Sequence, residues 1–126
     1  MTNAQKPTVL IIEDTMDVAN IILLVLRRMP INTVHVTNGP DAIAQAKQHT
    51  PDLIILDIGL PGIDGWEVLD VMYENPKLAD VPVVVITAYS DAENRQTGKL
   101  YGVFAYLAKP VTPQQLRDVV ERALKL

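Results

Sequence analysis

Three stretches of this sequence, Thr8-Val9-Leu10-Ile11-Ile12, Asp52-Leu53-Ile54-Ile55-Leu56 and Val81-Pro82-Val83-Val84-Val85-Ile86, are almost continuously apolar, with no polar alternation along them. A strand of that kind has no face to offer to water. It has to be covered on both sides, which is the situation of a parallel sheet sandwiched between helices. Two more β-rich runs, Thr33-Val34-His35-Val36 and Val103-Phe104-Ala105-Tyr106-Leu107, bring the expected strands to five. Pro82 sits near the start of its run, where a missing N–H is tolerated.

The intervening segments carry helical signals. Val18, Ile21, Ile22, Val25, Leu26 and Met29 follow the i, i+3, i+4, i+7 spacing of a first helix. Thr112 as N-cap, Pro113 at the first position and Gln115 three after the cap open a last helix that continues through Leu116, Val119, Val120, Ala123 and Leu124. Asp64-Gly65-Trp66-Glu67 and Ser90-Asp91-Ala92-Glu93 have the same capping-box spacing and open helices reaching about Asn75 and Tyr101. A weaker, alanine-rich helix fits Pro40 to His49. The helix from Asp91 to Tyr101 has few apolar residues and an internal Gly98, which costs about 1 kcal/mol relative to alanine, so it is the least anchored element; an ordinary solvated surface helix accounts for its composition.

Strand and helix alternate five times, which predicts a doubly wound α/β sandwich with right-handed crossovers. At 126 residues, with 48% apolar and 21% charged residues, the chain has the size and balance of one globular domain, with residues 1–7 as an N-terminal extension and a core from about residue 8 to 126. With no cysteine, thiolate zinc sites and thiol nucleophiles are excluded. The longest apolar run, Ile21 to Leu26, is far short of the roughly 20 residues that span a bilayer as a helix. The polar Met1 to Pro7 lacks the apolar core of a secretory signal, and the cytoplasm is the expected location. A net charge of −4 argues against direct nucleic-acid binding and for a protein or small-ion partner.

In an open parallel sheet, sites form outside the carboxyl ends of the strands. Reading those ends gives Glu13 and Asp14 after the first strand, Asp57 after the third, Thr87 after the fourth and Lys109 after the fifth. Each has a plainer use. Asp14 could cap the first helix, Asp57 could open the turn that holds Pro61-Gly62 and Asp64-Gly65, Thr87 could simply end a strand, and Lys109 could be an exposed charge held extended by Pro110. Together they ask for more, because three acids at neighbouring strand ends repel one another unless a cation sits among them. Carboxylates with a backbone carbonyl and water suit Mg²⁺, which completes its shell with phosphate oxygens. His35 and His49 have no plausible second ligand and are structural on this reading.

Ile11-Ile12-Glu13-Asp14, Asp57-Ile58-Gly59-Leu60-Pro61-Gly62-Ile63-Asp64-Gly65, Ile86-Thr87-Ala88 and Tyr106-Leu107-Ala108-Lys109-Pro110 occur in the order found in the receiver domain of bacterial two-component response regulators, which the chain resembles over almost its whole length. The resemblance implies a five-stranded, flavodoxin-like (βα)5 sandwich with strand order 2-1-3-4-5, an order carried over from that fold rather than read from the residues. It implies that Asp57 takes a phosphoryl group from a sensor histidine kinase or phosphotransfer protein. Mg²⁺ would be bound by Asp14, Asp57 and the Gly59 carbonyl, with Glu13 holding a metal-bound water. Lys109, before an expected cis peptide bond to Pro110, would pair with the phosphoryl oxygens, and Thr87 with the Ala88 N–H would hydrogen-bond the group. Thr87 and Tyr106 would then form the switch that changes a partner face made of the fourth helix, fifth strand and fifth helix. The chain would be no enzyme beyond its own aspartyl phosphorylation and dephosphorylation, and a monomer or phosphorylation-dependent dimer.

Three rivals share features of this pattern. A flavodoxin needs an anion-cradling loop after the first strand, and Glu13-Asp14-Thr15-Met16-Asp17 is acidic. A hydrolase forming an aspartyl phosphate has its nucleophile after the first strand and a second Asp two residues on, where this chain has Met16. The alternative kept open is a receiver-like interaction module that works without phosphorylation. The last helix runs close to Leu126, so no output domain is expected within the chain, which acts alone or is a fragment.

Overall fold

The apolar runs form five parallel strands in one sheet, β1 (Thr8–Ile12), β2 (Asn32–Val36), β3 (Leu53–Leu56), β4 (Val83–Thr87) and β5 (Ala105–Ala108), ordered β2-β1-β3-β4-β5. The structure is a computed structural model and describes residues 6–126; residues 1–5 of the N-terminal extension lie outside it. Five helices follow the strands: α1 (Met16–Leu26), α2 (Gly39–Gln48), α3 (Gly65–Tyr73), α4 (Ala92–Tyr101) and α5 (Pro113–Leu124). Among the described residues no helix is long and apolar enough to cross a membrane.

Every residue of β3 and β4 is buried, as their unbroken apolar character requires. Successive side chains point to opposite faces and serve two cores. Leu10, Ile12, Ile54, Leu56, Val83 and Val85 pack with Val68, Leu69 and Met72 of α3 and Ala42 and Ala46 of α2. Val9, Ile11, Leu53, Ile55, Val84 and Ile86 pack with Ile22 and Leu26 of α1 and Leu116, Val119 and Val120 of α5. The order of strands reverses at β1 and β3, and that reversal opens a crevice at their carboxyl ends.

Several boundaries differ from the sequence reading, for identifiable reasons. The fourth strand starts at Val83 rather than Val81, because Pro82 has no N–H for the ladder and contributes only its carbonyl, which accepts from Ile54 N–H at 3.0 Å. The fifth starts at Ala105 rather than Val103: Gly102, at φ 71°, ends α4 in the left-handed conformation, and the Val103 N–H turns back to the Gly98 carbonyl at 3.1 Å. The cap of α4 is Asp91 and not Ser90, with the Asp91 carboxylate accepting from Asn94 N–H. The capping boxes at Asp64/Glu67 and Thr112/Gln115 form as expected. Asp14 does not cap α1, whose N-cap is Thr15 without a side-chain bond, so that plainer use of Asp14 is not realised. In α4 the only buried residue is Gly98, in keeping with the weak anchoring expected of it.

Candidate functional site

The ladder of the sheet runs one residue past the strands and fixes the residues that follow them. Asp57 N–H donates to the Ile12 carbonyl at 3.0 Å, Glu13 N–H to the Val36 carbonyl at 3.1 Å, and Lys109 N–H to the Thr87 carbonyl at 2.9 Å. Backbone hydrogen bonds, not flexible loops, therefore set where these side chains start. The Lys109–Pro110 peptide bond is cis, as the resemblance implied.

From those positions the side chains meet. Lys109 Nζ lies 2.7 Å from Asp57 Oδ2 and 2.8 Å from Glu13 Oε1. Asp57 Oδ1 accepts from the Thr87 hydroxyl at 2.8 Å and from the Gly59 N–H at 2.9 Å. Glu13, only 2% exposed, accepts at Oε2 from Thr15 N–H at 3.1 Å. Burial pushes the Glu13 carboxyl above its ordinary pKa, with the neighbouring Asp57 charge acting in the same direction; the hydrogen bonds from Lys109 and Thr15 oppose the shift without cancelling it. For Lys109, burial works against the charge, but the hydrogen bonds and charges of Asp57 and Glu13 more than offset it and hold the ammonium above the usual lysine value. The lysine is thus a fixed cation.

Carboxylate oxygens of Glu13, Asp14 and Asp57 lie within 4.8 Å of one another, with Asp14 exposed at the mouth. One ammonium against three carboxylates leaves two negative charges in a cluster made entirely of oxygen donors, which fits a divalent hard cation. Gly59 and Ala88 are both exposed beside Asp57 and Thr87. The structure therefore brings Glu13, Asp14, Asp57, Gly59, Thr87, Ala88 and Lys109 to one edge of the sheet.

Tyr106 lies further out. Its ring packs under α4, and its hydroxyl donates to the Tyr89 carbonyl in the loop after β4. One support escaped the sequence reading. His35 is structural, as expected, and acts through its Nε2, which lies 2.8 Å from the Glu13 carbonyl and braces the loop that carries Glu13 and Asp14. Register supplies the only signal for it, because Ile11 pairs with His35 and the acid stands just beyond. His49 lies exposed at the end of α2, away from the acids.

A doubly wound (βα)5 domain with carboxylates, a fixed ammonium and a hydroxyl at its topological switch point defines a class, and comparison with known proteins names it. The model of the response regulator receiver domain matches residues 9–121, and the chain belongs to that family. It is 31% identical over 120 residues to the sporulation initiation phosphotransferase F of Bacillus subtilis, covering 94% of each chain. It is also 31% identical over 121 residues to the "Probable transcriptional regulator ycf27" of Porphyridium aerugineum, covering 96% of this chain and 49% of that protein. The chain thus spans about half the length of several curated relatives it matches. Among solved structures, the phosphorylated cyanobacterial phytochrome response regulator RcpA superposes with a TM-score of 0.81 at 28% identity, covering 93% of this chain and 92% of that one.

Proposed function

We propose that this receiver domain accepts a phosphoryl group on Asp57 in a Mg²⁺-dependent reaction and passes the change to a protein partner. The observation that carries this reading is the asymmetric hold on the Asp57 carboxylate. Oδ1 is fixed by two donors, the Thr87 hydroxyl and the Gly59 N–H, whereas Oδ2 faces only the Lys109 ammonium, on a flexible stem. Oδ2 is then the nucleophilic oxygen, and the Lys109 ammonium, held 2.7 Å from it and 2.8 Å from Glu13, stands where it would meet the incoming phosphoryl oxygens. Phosphoryl transfer passes through a loose transition state, so positioning and charge neutralisation supply most of the catalysis. Asp14, Asp57 and the Gly59 carbonyl would hold Mg²⁺, and Glu13 a water in its shell; bound there, the ion would neutralise charge on the transferring group. The Thr87 hydroxyl and Ala88 N–H would receive the phosphoryl oxygens. A cytoplasmic location belongs to the same reading.

The donor has to approach over the carboxyl edge of the sheet. There an apolar groove of 370 Å³ opens between α1 and the start of α5, lined by Val18, Ile21, Val25, Pro110 and Leu116 and reaching Lys109 itself. Ile21 is 56% exposed. On this reading the groove seats the phosphodonor protein, and Ile21→Asp should lower transfer from the kinase identified by phosphotransfer profiling by about tenfold, a usual loss at an interface anchor. Labelling by acetyl phosphate, which needs no docking, should stay at the parent rate. Equal losses with both donors would remove the groove from donor binding.

The output surface on this reading is the face formed by α4, β5 and α5. Leu100 of α4, Phe104 just before β5 and Leu126 just after α5 are exposed large apolar side chains. Binding of beryllofluoride with Mg²⁺ should change amide exchange along α4 and β5, because α4 buries only a glycine and its opening costs little. Alteration of another face with this one unchanged would relocate the output.

A further inference from the structure

Helix α4 reaches the sheet through a gap rather than a side chain: a Cβ on Gly98 would come within 2.9 Å of Tyr106 Cδ2. The tyrosine ring is its floor. What ties α4 laterally is Trp66 of α3, whose indole N–H donates to Asn94 Oδ1 at 3.3 Å and whose ring centroid stands 5.0 Å from that of Tyr101. The same indole stacks over Tyr106 at 6.5 Å. Tyr101 in turn donates its hydroxyl to Asp70 of α3 at 2.8 Å.

The other end of this contact lies at the acceptor. Trp66 directly follows Gly65, and Gly65 rests on Ile58, the neighbour of Asp57: its N–H donates to the Ile58 carbonyl at 2.9 Å, and a Cβ there would stand 2.6 Å from Ile58 Cα. No slack separates the two. A shift of the loop after Asp57 is therefore transmitted through backbone contact to a residue adjoining the indole, and from the indole to Asn94, Tyr101 and Tyr106. Arg95, 5.2 Å above the Tyr106 ring, and the Tyr89 carbonyl also hold Tyr106, but both belong to α4 or the loop before it. Tyr89 also reaches the acceptor loop, where its ring lies against Gly59, and Trp66 joins Tyr106 to that loop from the α3 side.

We propose that Trp66 is a positioning residue that couples the loop following Asp57 to α4, by clamping Asn94, Tyr101 and Tyr106 in one aromatic seam. The proposal rests on the phosphoacceptor reading of Asp57 for what drives the loop. It adds a route that leaves the site through α3, alongside the expected one through Thr87.

The test compares the parent with Trp66→Leu and Trp66→Phe, each free and with Mg²⁺ and beryllofluoride. In the free state, Trp66→Leu should speed amide exchange along α4 about tenfold, equivalent to about 1.4 kcal/mol, while β3 and β4 amides keep the parent rates. Fluorine NMR should show that beryllofluoride still binds at Asp57. The change that binding produces along α4 in the parent should fall to about half or less, a loss of coupling that a uniformly destabilising substitution would not give. Trp66→Phe, which keeps a ring against Tyr101 but cannot donate to Asn94, should recover most of the response and speed free-state exchange about threefold, the size of one modest hydrogen bond. If Trp66→Leu does not fold, the free-state exchange of the phenylalanine variant along α4 decides the matter, parent-like rates overturning the proposal. Parent-like exchange and response in the folded variants would overturn the proposal. Failure of the parent to bind beryllofluoride would instead sink the phosphoacceptor reading, and the free-state comparison would still decide whether Trp66 anchors α4.

Discussion

Asp57→Asn should give a folded domain that incorporates no hydroxylamine-labile phosphate from acetyl phosphate in Mg²⁺. The amide retains a carbonyl oxygen able to accept from the Thr87 hydroxyl and the Gly59 N–H, the two bonds that fix Oδ1 in the parent. It lacks the anionic oxygen that, on the proposed reading, would attack phosphorus. Lys109 loses its 2.7 Å partner but keeps Glu13 at 2.8 Å, so the ammonium is not left unpaired in a half-buried place. Removing one of three neighbouring acids also relieves repulsion among them. The change in unfolding free energy should accordingly stay within about 2 kcal/mol, well below the 3–5 kcal/mol expected when a buried charge loses its only partner. Urea unfolding checks the fold and phosphate labelling the chemistry. Labelling equal to the parent's would place the acceptor elsewhere and favour the reading in which the domain binds partners without phosphorylation.

How much of this was open to the sequence depended on the kind of interaction. Strands whose two faces are both buried announce themselves by composition, and β1, β3 and β4 do so; the five site residues then follow from the rule that sites lie at strand ends. Capping boxes are local, and those at Asp64 and Thr112 needed no tertiary information. At Ser90 the same four-residue spacing misled by one position, because Asp91 is the better acceptor and its carboxylate reaches both the Asn94 N–H and the Asn94 side chain. The start of β5 was missed for a related reason: the Val103 N–H is taken by the end of α4, a competition that a β-rich run does not reveal. The brace from His35 to Glu13 and the seam around Trp66 were out of reach. They join residues 22 and 28 positions apart through side chains that read individually as ordinary packing.

If Asp57 is phosphorylated as proposed, the surroundings of Gly59 and Tyr89 bear on how long the acyl phosphate would last. The family resemblance implies that the positions two beyond the acceptor and two beyond the hydroxyl residue, Gly59 and Tyr89 in this chain, are where an amide or acid side chain would orient a hydrolytic water. Here the two positions touch. A Cβ on Gly59 would stand 2.4 Å from Tyr89 Cε2 and 3.5 Å from Asp57 Oδ1, so the tyrosine ring fills the space that an orienting side chain would need. Tyr89 is 57% exposed, and its N–H donates to the Thr87 hydroxyl oxygen at 3.2 Å, which ties the backbone beneath the ring to the residue proposed to receive the phosphoryl oxygens. A glycine without functional groups and a ring laid over it both work against an in-line water, and a long-lived phosphorylated state is the expected result. Gly59→Asn with Tyr89→Glu should accelerate phosphate release in Mg²⁺ by at least about tenfold, a modest share of what correct orientation of a nucleophile can contribute. The single Gly59→Asn variant should do much less, since its side chain first has to displace the ring; the two substitutions are therefore expected to be non-additive. Release is followed after labelling with acetyl phosphate and removal of the donor. Decay in the double variant that is unchanged or slower than in the parent would show that these positions do not set the lifetime. Equal acceleration by Gly59→Asn alone would show that the Tyr89 ring is no barrier to the water.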